Sequence, residues 1–441
     1  MLDARALALE VLTRGEVKRI PTDPLLAPRL ARTRLDERDR RLVTTLIKTT
    51  HRWRGRADHV LDGRLKRGIR SLDVNTLNIL RLGYVQLFHL SQIPAHAIIH
   101  SAVDLTMHTA GPGKARLVNS ILRGLVSRPP SPQDWKGENR LRALAGELSN
   151  PVWLLERWVP RWGEETVRRI CEWNNTSPRM HARLTGTPAD RAFALERLEA
   201  EQIQYESGQV AEQTIRIASR FPVHDHVLMS KGRLVPQDES QTLVGLLMEL
   251  PDHGTVLDVC AAPGTKTSHV AERHPGWHVV ATDVTTHKVH RLVDTRQRLG
   301  LANIELVVAD GRRPPFEAVF DAVVLDAPCS GLGVLQRRPD ARWLRSPGEL
   351  LDAALRQRAL LGAAAGLVMP GGQLLYSVCS VEPEETSANV AWFREAFPAF
   401  EPVPLPDWVP GDIRGDDCQM RILPGTMGME GAFAAVLRRG R

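Results

Sequence analysis

Two short stretches carry the most reactive groups in the chain. Asp326–Gly331 reads DAPCSG and Tyr376–Glu385 reads YSVCSVEPEE. Each presents a cysteine followed by a serine, at Cys329 and Cys379, and each follows an apolar run expected to be a strand. A single cysteine is usually a small buried hydrophobe. Two in matching contexts at strand-end turns point instead to thiol chemistry. Carbon 5 of cytosine is too weak a nucleophile to take a methyl group unaided. A thiolate added at carbon 6 turns the ring into an enamine and makes carbon 5 reactive. The activated ring can then attack a sulfonium methyl, after which a base removes the carbon-5 proton and the thiol leaves. Asp326, beside such a ring, could share a proton with cytosine N3, which requires a carboxyl of raised proton affinity. A thiol with a free pKa of ~8.5 also needs a helix start or a cation to ionise.

A methyl donor must lie at the same edge, and Val256–Thr267 (VLDVCAAPGTKT) offers a place for it. An apolar strand breaks into a loop of Cys260, Ala261, Ala262, Pro263, Gly264, Thr265 and Lys266. Small residues let backbone N–H groups approach a ligand, and the next helix aims its positive end at it. The loop is neither G-x-G-x-x-G nor a phosphate loop, so a dinucleotide or triphosphate is disfavoured. Acids close the strands that follow: Asp283 ends WHVVATD, Asp310 ends IELVVAD and Asp326 ends VVLD, while Asp258 lies within the first. An acid ending the second strand suits a ribose diol. The set fits S-adenosylmethionine, with Asp283 and Asp310 on the adenosine and the methionine end over Cys260–Lys266. Lys266 would pair with the methionine carboxylate.

Strand–helix alternation from Gly232 onward is what would position these groups. Strands are expected at Thr255–Val259, His278–Thr282, Ile304–Val308, Ala322–Leu325 and Gly372–Ser377, with later ones near Gln419–Leu423 and Gly431–Leu437. Helices are expected at Ser240–Glu249, Thr267–Arg273, Lys288–Leu299, Gly348–Gly366 and Thr386–Ala396. The pattern implies a doubly wound, mostly parallel α/β sheet of Rossmann-like type, whose ligands bind beyond the strands' carboxyl ends. Met1–Arg128 instead shows helical periodicity throughout, broken at Pro21, Pro24, Gly63, Pro94 and Gly111–Gly113, as in an all-α bundle. Ser127–Asp134 is a Pro/Ser-rich linker. Between linker and catalytic part, His181–Thr185 and Gln213–Ile217 suggest strands and Asp190–Glu201 a helix, a small α/β unit. Trp153, Trp158, Trp162 and Trp173 precede it at helical spacing, suited to core packing more than to stacking on bases. The expected domains are therefore 1–130, 145–231 and 232–441.

Charge separates the parts. The net charge is +7, yet residues 1–150 hold 26 Lys and Arg against 14 Asp and Glu, and the remainder holds 32 against 37. A basic excess confined to the first third favours a polyanion, nucleic acid ahead of a membrane surface. Arg38, Arg40, Arg41, Arg52, Arg54 and Arg56 crowd one helix and make the best candidate for a phosphate-contacting face; a solvated helix surface is the alternative. No apolar run approaches the ~18 residues of a membrane span, and the first residues lack a secretory core. Five scattered cysteines suit a reducing cytoplasm rather than a disulfide framework. Cys171 and Cys260 read as core and Cys418 as incidental. Without C-x-x-C pairs or His–acid ligand spacing, no metal site is expected.

DERDRRLV, LNILRLGYVQL, PAHAIIHSAVDL and LVNSILRGL resemble the NusB-like helical RNA-binding domain that precedes some RNA methyltransferases. The paired cysteine motifs resemble the RNA 5-methylcytosine methyltransferases of the Fmu/Sun/NOL type. Taken with LVPQDESQ, RRPDARW and ILPGTMGMEGAF, the whole chain is similar to their small-subunit ribosomal RNA branch. The resemblance implies that Cys379, in the S-x-C-S context, is the nucleophile, and that Cys329 assists proton removal or product release. DNA cytosine methylases use the Pro-Cys cysteine as nucleophile, so the reverse assignment stays open. The implied partner is structured RNA, small-subunit rRNA first and tRNA second, and a monomer is expected. A non-catalytic RNA-binding assembly factor is the competing reading. Three departures stand out: Thr265 where the family often has Gly, GMEGAF at Gly428–Phe433 in place of GMDGFF, and His181–Leu184 without the family's Arg-Val-Asn.

Overall fold

The computed structural model describes residues 3–90, 93–135, 139–218, 221, 226–317 and 320–441, so parts of the expected domain spans fall outside it. The chain divides into two compact units. The first comprises Met1–Ser177 and Leu335–Ser346; the second comprises Pro178–Val334 and Pro347–Arg441.

The first unit is helical: α1 (Ala4–Lys18), α2 (Asp23–Arg32), α3 (Glu37–Asp62), α4 (Val74–His89), α5 (Ala95–Ala110), α6 (Pro112–Ser127), α7 (Arg140–Leu148) and α8 (Val152–Asn175). Local sequence explains the boundaries. Asp3, Asp36 and Asp73 each precede a helix and accept a backbone N–H of its first turn. Pro24, read above as a breaker, sits in the first turn of α2, where a missing N–H costs nothing. Leu7, Leu46, Ile47, Tyr84 and Leu122 share one apolar core. Trp158 is fully buried, while Trp153, Trp162 and Trp173 are half-buried along the same helix. Leu335–Ser346, which in sequence interrupts the α/β part, belongs to this helical unit. Arg342, fully buried there, donates to the carbonyls of Ser149 and Asn174 and to Asn175 Oδ1. Asp340 accepts the Thr22 backbone N–H at 3.0 Å, and Trp343 Nε1 donates to the His51 carbonyl at 2.6 Å.

The second unit holds two sheets. The smaller is antiparallel, in the order β2–β3–β1–β4, built from β1 (Met180–Leu184), β2 (Tyr205–Ser207), β3 (Thr214–Ile217) and β4 (Leu234–Pro236). α9 (Pro188–Ala200) packs on it through Ala194 and Leu198, and Thr187 with Asp190 forms a capping box at its start. Strand β4 comes from LVPQDESQ, which its position in the sequence assigned to the catalytic part; it pairs with β1.

The larger sheet contains β5 (Gly254–Asp258), β6 (Trp277–Asp283), β7 (Ile304–Val308), β8 (Phe320–Asp326), β9 (Val368–Val378), β10 (Phe400–Pro402), β11 (Gln419–Ile422) and β12 (Ala432–Arg439). The order is β10–β12–β9–β8–β5–β6–β7, with β11 on β12. Strands β5 to β9 pair in parallel, while β12 runs antiparallel to β9. Alternate residues face two apolar layers. Val256, Ala322, Val324 and Leu375 enter one; Leu257, Val323, Leu325 and Leu374 enter the other. Strand β5 lies between β6 and β8, so the order reverses there and opens a crevice at the carboxyl ends.

Candidate functional site

Asp258, Asp283 and Asp326 are the last residues of β5, β6 and β8, and Cys379 directly follows β9. The parallel register therefore delivers three carboxylates and a thiol to one edge. The Cys260–Lys266 loop leaves β5 there, with a cis Ala262–Pro263 bond and Gly264 at φ +101°. A side chain at Gly264 would be strained by that φ, and its Cβ would lie 2.9 Å from Leu292 Cδ2. Helix α12 (Thr265–Arg273) starts after Gly264 with no side chain capping its first amides. Asp283 is buried; its carboxylate accepts the Ala262 N–H at 3.2 Å, the Val284 N–H at 2.7 Å and the Lys288 ammonium at 2.9 Å. Asp258 accepts the Thr267 hydroxyl at 2.6 Å through Oδ2, and its buried Oδ1 has no hydrogen-bond partner. Burial pushes this carboxyl up to about 7. Burial likewise lifts the Cys260 thiol to about 12, as befits a thiol packed against the core.

Three side chains, those of Lys266, Asp326 and Asp310, have partners that the sequence does not assign. Lys266 is buried, and its ammonium donates to Asp326 Oδ2 at 2.6 Å and to Gln241 Oε1 rather than standing clear for a cofactor carboxylate. Asp326 Oδ1 in turn accepts the Ser377 hydroxyl at 2.9 Å from the neighbouring strand. Asp310 lies two residues beyond β7, where its carboxylate is gripped by Arg312 through Nε at 3.0 Å and Nη2 at 2.7 Å. That grip, with the Arg312 backbone N–H, holds its pKa down to about 2.

The thiols meet. Cys329 Sγ and Cys379 Sγ are 3.2 Å apart, and both residues are half-buried. Neither is in a disulfide. The Cys329 thiol is pushed well above its ordinary range, first by its hydrogen bond to Cys379, then by burial and by the negative charge of Glu385. The turns are stitched together by the backbone: Gly333 N–H donates to the Cys379 carbonyl at 3.0 Å, and Gly431 N–H donates to the Gly333 carbonyl at 2.8 Å. The sequence reading missed Glu385. It is fully buried, and its carboxylate accepts from the Ser330 N–H, the Ser330 and Ser380 hydroxyls and Gln357 Nε2. The repeated Cys-Ser pair was the available signal, because two hydroxyls beside two thiols need a common acceptor.

The arginine face requires correction. Arg52 is buried and donates to the Gln336 carbonyl at 3.1 Å. Arg54 pairs with Glu16 at 2.6 Å and lies over the Trp343 ring. Both are used inside the helical unit: Arg52 on the carbonyl of Gln336 in the inserted 335–346 segment, Arg54 on Glu16 of α1 and the Trp343 ring. Arg40 is half-buried on the Leu35 and Thr33 carbonyls, whereas Arg38 and Arg41 are exposed, the latter paired with Glu37. Among the described residues no group of three or more His, Cys, Asp or Glu could hold a metal, and no helix is long and apolar enough to cross a membrane.

Residues 245–438 match the family described as 16S rRNA methyltransferase RsmB/F. Residues 2–127 match the NusB family, and 150–224 match the ferredoxin-like domain of RsmF/B-like methyltransferases. The chain is 32% identical to the "Probable ribosomal RNA small subunit methyltransferase B" of Bacillus subtilis (strain 168), over 99% of this chain and 98% of that one. It is 33% identical to the ribosomal RNA small subunit methyltransferase B of Klebsiella pneumoniae, over 73% and 74% of the two chains. The crystal structure of PH0851 superposes with a TM-score of 0.80 at 26% identity, covering 98% of this chain and 97% of that one. That of NSun6 from Pyrococcus horikoshii shares the fold at a TM-score of 0.59 and 19% identity, over 66% of this chain and 98% of that one.

Proposed function

Because the chain belongs to the 16S rRNA methyltransferase RsmB/F family, we propose that it methylates carbon 5 of a cytosine in small-subunit ribosomal RNA through a covalent Cys379–cytosine adduct. Its family makes it an S-adenosylmethionine-dependent RNA methyltransferase, with a NusB-like helical domain, a ferredoxin-like middle domain and a Rossmann-like catalytic domain. The observation that carries the finer reading is the 3.2 Å approach of Cys329 and Cys379. A methyl transfer to oxygen or nitrogen has no use for two thiols. Transfer to carbon 5 needs one sulfur to activate the ring and a second group to finish the reaction.

The strand-end edge fits the methyl donor. Its buried Asp258 Oδ1 has no partner, Asp283 is buried beside the loop, and α12 opens without a side-chain cap. Asp283 would hold the ribose, and the Cys260–Thr265 backbone with the start of α12 the methionine end. Asp310 would meet the adenine once Arg312 gives up one oxygen. When bound, S-adenosylmethionine supplies an electrophilic sulfonium methyl. Cys379 Sγ bonds to carbon 6, and the electron pair moves to carbon 5, which takes the methyl. Asp326, oriented by Lys266 and Ser377, would share a proton with the ring nitrogen that gains charge as the adduct forms. With Cys379 committed to carbon, its hydrogen bond to Cys329 is lost. That bond is the largest influence holding the Cys329 proton. Cys329 then gives its own proton to water and, as the thiolate, takes the proton that leaves carbon 5. Elimination restores the Cys379 thiolate.

The parts 1–130 and 145–231 would engage the RNA, and 232–441 would perform the transfer. Incubation with methyl-labelled S-adenosylmethionine and unmodified 16S rRNA should place label in 5-methylcytosine. Label in tRNA alone would move the substrate, and no label in cytosine would reject the reading.

A further inference from the structure

We propose that Glu385 is a positioning residue whose carboxylate clasps the two cysteine turns and sets the approach of their sulfurs. The inference rests on the two-thiol reading above and adds to it the group that holds the pair in place. Glu385 lies at the start of the segment leading to α16 (Ser387–Ala396) and is fully buried. An ionised carboxylate is costly to bury unless hydrogen bonds replace its water. Here both oxygens are supplied by uncharged donors. Oε1 accepts the Ser330 N–H at 2.8 Å and Gln357 Nε2 at 3.0 Å, while Oε2 accepts the hydroxyls of both Ser330 and Ser380. Those serines directly follow the two cysteines, and their hydroxyl oxygens are 3.2 Å apart, the same separation as the sulfurs one residue earlier.

The clasp is itself fixed. Gln357 Nε2 also donates to the Pro328 carbonyl at 3.0 Å, on the other side of Cys329. Tyr376 Oη donates to the Glu385 carbonyl at 2.6 Å, and Asn389 Nδ2 donates to Gln357 Oε1 at 2.8 Å. A carboxylate alone among the side chains can accept at both oxygens from N–H and O–H donors arriving on two different turns. The acid therefore does what a neutral residue of the same size would not.

The geometry can be read without methyl transfer. Diamide takes up the two electrons and two protons that the thiols release as a Cys329–Cys379 disulfide forms, and alkylation followed by mass measurement counts what remains. The full chain should lose both thiols quickly. Glu385→Ala should slow disulfide formation at least tenfold, with Glu385→Gln intermediate. Ser330→Ala with Ser380→Ala, which removes only the two hydroxyl arms, should act like Glu385→Ala and covers the case in which that variant fails to fold. In each folded variant kcat for methyl transfer should fall more than a hundredfold with KM for RNA within threefold. Slowed disulfide formation with undiminished methyl transfer would support the clasp and overturn the two-thiol reaction. Equal disulfide rates in the wild type and all folded variants, or no disulfide in any of them, would overturn the clasp.

Discussion

At Asp258 a carboxyl is enclosed at the end of β5, and burial raises it to about 7. A carboxyl raised on folding binds more protons folded than unfolded between its ordinary value and about 7. Stability is therefore full at the acid end and is lost as pH rises through that window. The loss is on the order of a few kcal/mol. Asp258→Asn should match the wild type near pH 4 and exceed it at pH 8 in chemical denaturation of the cofactor-free protein. An equal difference at both pH values would contradict this. The cysteines divide more sharply. Cys379→Ala should form no covalent RNA complex, whereas Cys329→Ala should accumulate one that survives a denaturing gel; the opposite pattern would exchange their roles. Residue types were the most legible part of the site, because acids at strand ends and paired Cys-Ser turns are local signals. Partners were less so. Lys266 finds Asp326 and Asp310 finds Arg312 only once the strands are side by side or a turn has closed.

Elements explain why those side chains converge. The parallel strands β5, β6, β8 and β9 were legible because each is an apolar run ending in an acid or a Cys turn, bounded by periodic helices. Short β4 and β10 were not, because three residues carry no usable period and are fixed by pairing with β1 and β12. Helix α2 was hidden by Pro24, which breaks a helix interior but suits a first turn. The turn after Cys329 is packed closely against backbone. A Cβ on Gly333 would lie 2.7 Å from the Gly431 carbonyl oxygen and 3.0 Å from that of Cys379. Backbone cannot rotate away as a side chain can. Gly333→Ala should therefore cost about 1–3 kcal/mol and lower kcat far more than it raises KM, measured by thermal melting and steady-state methylation.

Across the whole molecule, the +12 balance of the first 150 residues predicted a nucleic-acid partner, but not which arginines meet it. A count cannot tell a helix face turned outward from one packed on an inserted segment, and residues 335–346 come from far along the chain. Arg38→Ala with Arg41→Ala should flatten the dependence of log K on log salt, by about 0.7–0.9 for each phosphate contact removed. Arg52→Ala should leave that slope unchanged and lower the melting temperature instead. Titration of RNA binding at several salt concentrations separates the two. Transfer to carbon 5 makes a demand that transfer to an oxygen or a nitrogen of the base does not share: every methyl placed there displaces the hydrogen already on that carbon. With 16S rRNA carrying tritium at cytosine carbon 5, tritium should appear in water in a one-to-one ratio with methyl groups incorporated. Methyl incorporation without release of tritium would contradict the account.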